Sequence, residues 1–374
     1  MGTIKRTFAN NLTGAGKISS TGLDSVVPAS NIANSSVTNV TEVSPSIGAA
    51  IKGVAGNPPS QSLGDMWYNT DLGTLKNFGL TAAAWAAGGA ASTAREARSA
   101  EGTQTATVLF GGADNTAGPY TINNTEHYDG SSWTNSGALN TARGGIMSFG
   151  TGIPSAVAAA GTTDAGPATP HRTTATEEYN GSSWTNATSC STARFSGGGF
   201  GIETAGAICG GSDGTRRNDT EEYNGTSWTA GGNLPSGNSG LAAVGTQTAG
   251  LAWGGSTPSL VTSTFTYDGS SWSTPPANIP VAGNLHGEAG DQTAALGFGG
   301  YTPGVTDATI EYDGTAWAVN PATLATARGT MGGTGTTSSA LASCGVTPAG
   351  GGKITNTEEF TAAFNAIKTV TTST

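Results

Sequence analysis

Charge is scarce in this chain of 374 residues: Asp, Glu, Lys and Arg together make up 11%, against the ~25% usual in soluble domains. Lysine is absent from 77–352, because Lys5, Lys17, Lys52, Lys76, Lys353 and Lys368 all lie outside it. Eight arginines there face 19 acidic residues, leaving eleven negative charges uncompensated and arguing against nucleic acid as a partner. Residues 1–76 carry five cations and four anions, too balanced for a polybasic arm. No apolar run approaches membrane-spanning length, so membrane insertion is not expected. The N-terminus lacks the apolar core of a secretion signal, and Arg6 stands where a lipidation motif needs Ser or Thr. A soluble protein made in a cytoplasm is the expectation. Cysteine is limited to Cys190, Cys209 and Cys344, an odd number without metal-ligand spacing. Histidine is limited to His127, His171 and His286, which fall at unlike points of the sequence pattern, so neither a copper nor a zinc site is expected.

What the chain has in plenty is glycine, 59 residues of it, and one phrase written five times. Tyr128-Asp-Gly-Ser-Ser-Trp133, Tyr179-Asn-Gly-Ser-Ser-Trp184, Tyr223-Asn-Gly-Thr-Ser-Trp228, Tyr267-Asp-Gly-Ser-Ser-Trp272 and Tyr312-Asp-Gly-Thr-Ala-Trp317 place their tryptophans 51, 44, 44 and 45 residues apart. That period suits a four-stranded β-propeller blade. Each phrase reads as a hairpin whose Asx-Gly pair accepts the positive φ of a tight turn, with Tyr and Trp paired across it. A second phrase recurs upstream, as in Gly102-Thr-Gln-Thr-Ala-Thr-Val-Leu-Phe-Gly-Gly112 and Gly245-Thr-Gln-Thr-Ala-Gly-Leu-Ala-Trp-Gly-Gly255, with weaker copies at Gly152–Gly161 and Gly335–Gly345. Six copies predict six blades, and their small residues predict inner strands near a narrow axis. Cys209 and Cys344 each fall near the end of a copy of this phrase and read as small core residues.

The expected fold is therefore all-β: a six-bladed β-propeller over 91–374, an extended N-terminal segment over 1–60, and a connecting β-hairpin over 61–90. The hairpin is read from Gly64-Asp-Met-Trp-Tyr-Asn-Thr-Asp-Leu-Gly-Thr-Leu-Lys-Asn-Phe78. Residues 1–60 are too rich in Ser, Thr, Asn and Ala to build a core, so sister copies or other proteins are expected to order them. The last unit lacks the Gly turn and Trp after Thr357-Glu-Glu-Phe360, and either Phe364–Thr372 or a strand near Trp85 supplies its fourth strand.

The Asp-Gly-Ser-Ser-Trp and Thr-Ala-Arg repeats, the Gly-Gly strand ends and the terminal Thr-Glu-Glu-Phe…Lys-Thr-Val-Thr-Thr-Ser resemble the kelch-type propeller proteins of marine bacteriophages, cyanophages included. The lead-in Gly-Asp-Met-Trp-Tyr-Asn-Thr…Gly-Thr-Leu-Lys is similar to a hairpin of phage tail-fibre and appendage proteins. The resemblance covers roughly residues 60–374 and makes the propeller kelch-like and the N-terminal segment an attachment segment. It implies a virion structural protein, a tail fibre or other appendage, held to other virion proteins through residues 1–60 and, by analogy with phage fibres, trimeric. Host-surface glycans are the ligand class it suggests for the propeller loops. A capsid or tail cement protein packing only against virion partners is the alternative reading, and a glycan-active propeller enzyme the third.

No catalytic, cofactor or metal site is expected. Paired acids such as Glu177-Glu178, Glu221-Glu222 and Glu358-Glu359 sit on neighbouring strand positions that face opposite ways, and read as solvated or turn-paired side chains. Arg95, Arg143, Arg194 and Arg328 recur at one repeat position, so each is expected to serve its own blade, bonding loop carbonyls or a nearby carboxylate. The loops between strands two and three vary between copies (Ala113–Asn124, Thr162–Thr174, Ser212–Asp219, Ser256–Thr262, Tyr301–Ala308), and with the connections between blades they should share one face. Tyr120, His171, Arg172, Arg216, Arg217 and Tyr301 are its candidate recognition residues.

Overall fold

The computed structural model describes residues 52–96, 99–114, 120–163, 171–275, 277–348 and 352–370, and every element named among them is a β-strand. They divide into two compact units, one spanning Ala83–Ala362 and the other made of the flanking residues on both sides. In the flanking unit, Met66–Asn69 and Thr74–Thr81 form the expected antiparallel hairpin. Lys52–Val54 adds a parallel strand to one edge and Phe364–Thr369 an antiparallel strand to the other. Trp67 is its buried anchor. Of the attachment segment read over 1–60, residues 1–51 lie outside the described residues.

Ala83–Ala362 contains six four-stranded antiparallel sheets, an arrangement consistent with a propeller-like fold. Sheet one is Ala100–Thr103, Ala106–Phe110, Thr125–Tyr128 and Trp133–Ser136. Sheet two is Met147–Gly152, Ser155–Ala159, Thr176–Tyr179 and Trp184–Ala187; sheet three is Gly198–Ile202, Ala205–Cys209, Thr220–Tyr223 and Trp228–Ala230. Sheet four is Ala242–Thr246, Ala249–Trp253, Thr264–Tyr267 and Trp272–Ser273; sheet five is Gly287–Gly290, Ala295–Phe298, Thr309–Tyr312 and Trp317–Asn320. Sheet six takes Gly332–Gly335, Ser339–Ser343 and Thr357–Thr361 from one end of the unit, and Ala84–Ala87 from the other. The strand near Trp85 thus fills the fourth place, and Phe364–Thr369 belongs to the hairpin sheet.

The turn phrase folds as a four-residue loop. Tyr128 pairs with Trp133, so Asp129 to Ser132 form the loop, and Gly130 alone takes the left-handed conformation, at φ +92°. The Asp129 carboxylate accepts the Ser131 and Ser132 amides, each at 2.8 Å, which holds its pKa down to about 2. Asn180, Asn224, Asp268 and Asp313 cap their loops in the same way. Tyr and Trp then stack across each turn, with ring centroids 5.0 Å apart at Tyr128 and Trp133, and 4.8 Å at Tyr267 and Trp272.

The Gly-Thr-Gln-Thr phrase supplies the first turn and the second strand, and the prediction that its strands are the inner ones is corrected: the strands before it are those that meet their counterparts in neighbouring sheets. The first strand of each sheet lies beside that of the next, and the first strand of sheet six beside that of sheet one. Small residues are needed there because backbones meet: a Cβ on Gly199 would lie 2.2 Å from the Ser148 carbonyl oxygen, and one on Gly333 2.3 Å from the Glu288 amide nitrogen.

One hydrogen bond repeats between neighbouring sheets. The indole N–H of each turn tryptophan donates to the first threonine in the third strand of the preceding sheet: Trp184 to Thr125 at 2.9 Å, Trp228 to Thr176 at 3.2 Å, Trp272 to Thr220 at 2.9 Å, and Trp317 to Thr264 at 3.0 Å. Trp133 donates to Thr357 of sheet six at 2.9 Å, and Trp85 to Thr309 of sheet five at 2.9 Å. The apolar clusters are likewise shared by neighbours, as where Val108 and Phe110 of sheet one meet Ala156, Tyr179 and Trp184 of sheet two.

Candidate functional site

The four repeat arginines are fully buried and ion-paired within their own sheets. Arg143 donates to Glu177 at 2.9 Å and to the Ala160 and Ala175 carbonyls at 3.0 and 2.6 Å. Arg328 meets Glu358 at 2.7 Å, Arg194 meets Glu221 at 3.1 Å, and Arg95 pairs with Glu126. The second oxygen of each glutamate accepts a backbone amide from the approach to the sheet: Asn140 to Glu177 at 2.6 Å, Ala325 to Glu358 at 2.6 Å, Ser191 to Glu221 at 2.6 Å, and Ser92 to Glu126 at 2.7 Å. The reading of the paired acids as solvated or turn-paired side chains is corrected for Glu177, Glu221 and Glu358, which are buried, as is Glu126, because a buried guanidinium requires a carboxylate beside it.

The second acid of each pair faces the next sheet. Glu178 accepts the Tyr223 hydroxyl at 2.5 Å, Glu222 accepts Tyr267 at 2.5 Å, and Glu359 accepts Tyr128 at 2.6 Å. His127 holds this position in sheet one and shares a 2.7 Å hydrogen bond with Tyr179. Burial first, then the neighbouring carboxylate, pushes the Tyr128 phenol up to about 12 and raises Tyr223 and Tyr267 as well. The adjacent acids are thus divided between two structural tasks, one inside the sheet and one between sheets.

The six first strands surround a cavity of ≈ 140 Å³ lined by glycines and other small residues, by Ile146, Met147, Phe200 and Val244, and by two carboxylates, Glu101 and Glu288. Burial pushes the Glu101 carboxyl up to about 8; a hydrogen bond with Ser148 opposes this and the Glu288 charge adds to it. Glu101 therefore holds a proton near neutral pH, which lets two acids share a narrow space. Sequence reasoning passed over both. The signal was present: they are the only acidic residues in first strands otherwise built from uncharged residues.

The variable loops and the connections between sheets do share one end, joined by bridges such as Phe195 with Ser212, Ser239 with Ser256 and Asn284 with Tyr301. Of the loops, 115–119 and 164–170 lie outside the described residues. The candidate residues there differ in what they touch. Arg216 donates to Ser256 Oγ at 3.0 Å and to the Pro258 carbonyl at 3.2 Å, tying the loop of sheet three to that of sheet four. Arg217 bonds Asp213 and Asp219 of its own loop at 3.2 and 2.7 Å. Arg172 lies over the Phe195 ring, 5.9 Å from its centroid, and the Tyr301 ring packs against Gly329. Tyr120 and His171 are exposed. Arg172, Arg216 and Tyr301 thus brace neighbouring loops, and Tyr120 and His171 present the accessible aromatic surface.

No family model matches this chain, and no curated protein does. Its chemistry has to be read from its own side chains. Among the described residues no three His, Cys, Asp or Glu side chains are grouped to hold a metal. Burial pushes the Cys190 and Cys344 thiols up to about 12, so neither is an activated nucleophile. His286 is buried beside Gly283 and Gly300. Among the described residues no helix is long and apolar enough to cross a membrane.

Proposed function

We propose that this chain is a non-enzymatic structural protein of a bacteriophage particle, a tail fibre or other appendage. In this reading Ala83–Ala362 is a six-bladed kelch-like β-propeller, residues 1–60 attach it to other virion proteins, and the variable loop end meets host-surface glycans. The observation that carries it is the tryptophan-to-threonine bond made by all six sheets to the sheet before, Trp133 to Thr357 and Trp85 to Thr309 included. Together with the buried Arg–Glu pairs inside single sheets, it spends the recurring polar residues on structure. The turn phrases support the phage reading through their resemblance to phage propeller proteins. Tyr120 and His171, exposed at the variable end, support contact with sugars, since an aromatic face and hydrogen-bonding edges suit a sugar ring.

A second reading, a cement or adaptor protein that packs only against virion partners, draws support from Arg172, Arg216 and Tyr301, which are engaged by neighbouring loops. Deleting residues 1–60 tests attachment: the truncated protein is expected to stay folded and to be missing from particles. Antibody labelling of particles by microscopy separates the two readings. Labelling at fibre tips supports host contact, labelling on the capsid supports cement, and normal incorporation of the truncated protein refutes the attachment role.

A further inference from the structure

The tyrosine latch between sheets is missing at two seams, where Phe360 replaces the tyrosine of sheet six and where sheet four lacks the acid, and a pocket stands at the second. In sheet four the second-acid position is Thr266, so the Tyr312 hydroxyl of sheet five finds no carboxylate and turns to the Gly314 carbonyl at 3.0 Å. The fourth strand is also cut short: Trp272–Ser273 is two residues long, and Pro275, which has no amide hydrogen, stands where Gly231 of sheet three donates to the Thr220 carbonyl at 2.9 Å. Between these sheets lies a cavity of ≈ 350 Å³, a volume within the range of small-ligand sites, roughly 300–1,000 Å³. It sits at the end of the sheets that carries the turns, away from the variable loops, because Thr248 and Thr293 belong to first turns and Asp268 and Gly314 to turn phrases.

We propose that this pocket binds an uncharged sugar residue. Thr248, Thr266 and Ser273 bring hydroxyls to its wall, each able to donate and to accept, while the Thr293 hydroxyl donates to Asp291 at 2.6 Å and is left as an acceptor. Gln292 is fixed beside them by bonds from its amide nitrogen to the Gly250 and Tyr267 carbonyls, both at 2.9 Å. Tyr267 and Tyr312 form its buried floor. The lining has no cation, which disfavours anions. Its one carboxylate, Asp268, already accepts the Ser270 and Ser271 amides at 2.9 and 2.8 Å, a poor lone ligand for a cation. A neutral polyhydroxylated ring matches that balance. The proposal is independent of the loop-end reading, since it uses the other end of the sheets.

Thr266→Glu tests it, because it rebuilds the carboxylate that Tyr267 finds in Glu222 and fills the pocket with it. Saturation-transfer NMR of the full chain would use glucose, galactose, mannose and N-acetylglucosamine as probes, with glucuronate and inorganic phosphate as charged controls. The expected result is transfer to at least one neutral sugar, weakened at least about tenfold in affinity by Thr266→Glu while the melting temperature rises. Thr248→Trp, at the exposed rim, should block the same sugar without touching the latch, and decides the matter if Thr266→Glu does not fold. The pocket variants are compared in a Tyr120→Ala, His171→Ala background, so that any sugar held at the loop end does not enter the readout. Binding of the charged probes alone, binding that survives the blocking variants, or no binding of any neutral sugar would overturn the proposal.

Discussion

A buried arginine needs a carboxylate, and the six sheets observe this rule site by site. Sheets one, two, three and six have the arginine together with the first glutamate. In sheets four and five the matching positions are Asn238 with Phe265, and Gly283 with Ile310. The two residues are kept together or lost together, which could have been read from the sequence by aligning its own repeats. Removing one partner should be costly: Glu177→Ala strands the Arg143 charge and should destabilise by about 3–5 kcal/mol in urea unfolding. Arg143→Met with Glu177→Leu should recover most of that loss, as sheets without the pair suggest. Glu101 sets a different dependence. Its folded pKa, raised from 4.5 to about 8, means that the unfolded chain releases this proton first as pH rises. Its contribution is complete below pH 4.5 and is lost as pH climbs through about 8. Unfolding midpoints measured across that window should fall, and Glu101→Gln should flatten the fall; an unchanged slope in the variant would remove Glu101 as its cause.

At the scale of the element, the turn phrases were legible because their chemistry is local. Asx, Gly and two small polar residues build a capped loop wherever the chain places them, and Tyr and Trp follow across it. The fourth strand of sheet six was not legible by the same route. Ala84-Trp-Ala-Ala87 carries no Asp-Gly turn because its partner Thr357–Thr361 comes from the far end of the unit, so no loop joins them. Only Trp85 marks it, with its indole on Thr309 and its ring 4.9 Å from Phe298 and 5.3 Å from Phe360. Trp85→Ala should therefore cost about 3 kcal/mol and Trp85→Phe about 1 kcal/mol. A loss below the error of denaturant titration for the alanine variant would show that this strand contributes little.

For the molecule, composition alone pointed to an all-β chain, while the use of its polar groups became visible only with neighbours in place. The glutamate pairs look identical in sequence, yet one member faces an arginine in its own sheet and the other a tyrosine in the next, a distinction set by which sheets adjoin. The central claim is that every sheet is bound to its predecessor by the same tryptophan-to-threonine bond, the first to the last included. A crystal structure of the full chain tests this most directly. The account predicts six four-stranded sheets with all six indole N–H groups on the preceding threonine; an arrangement in which Trp85 lies away from Thr309, or Trp133 away from Thr357, would contradict it.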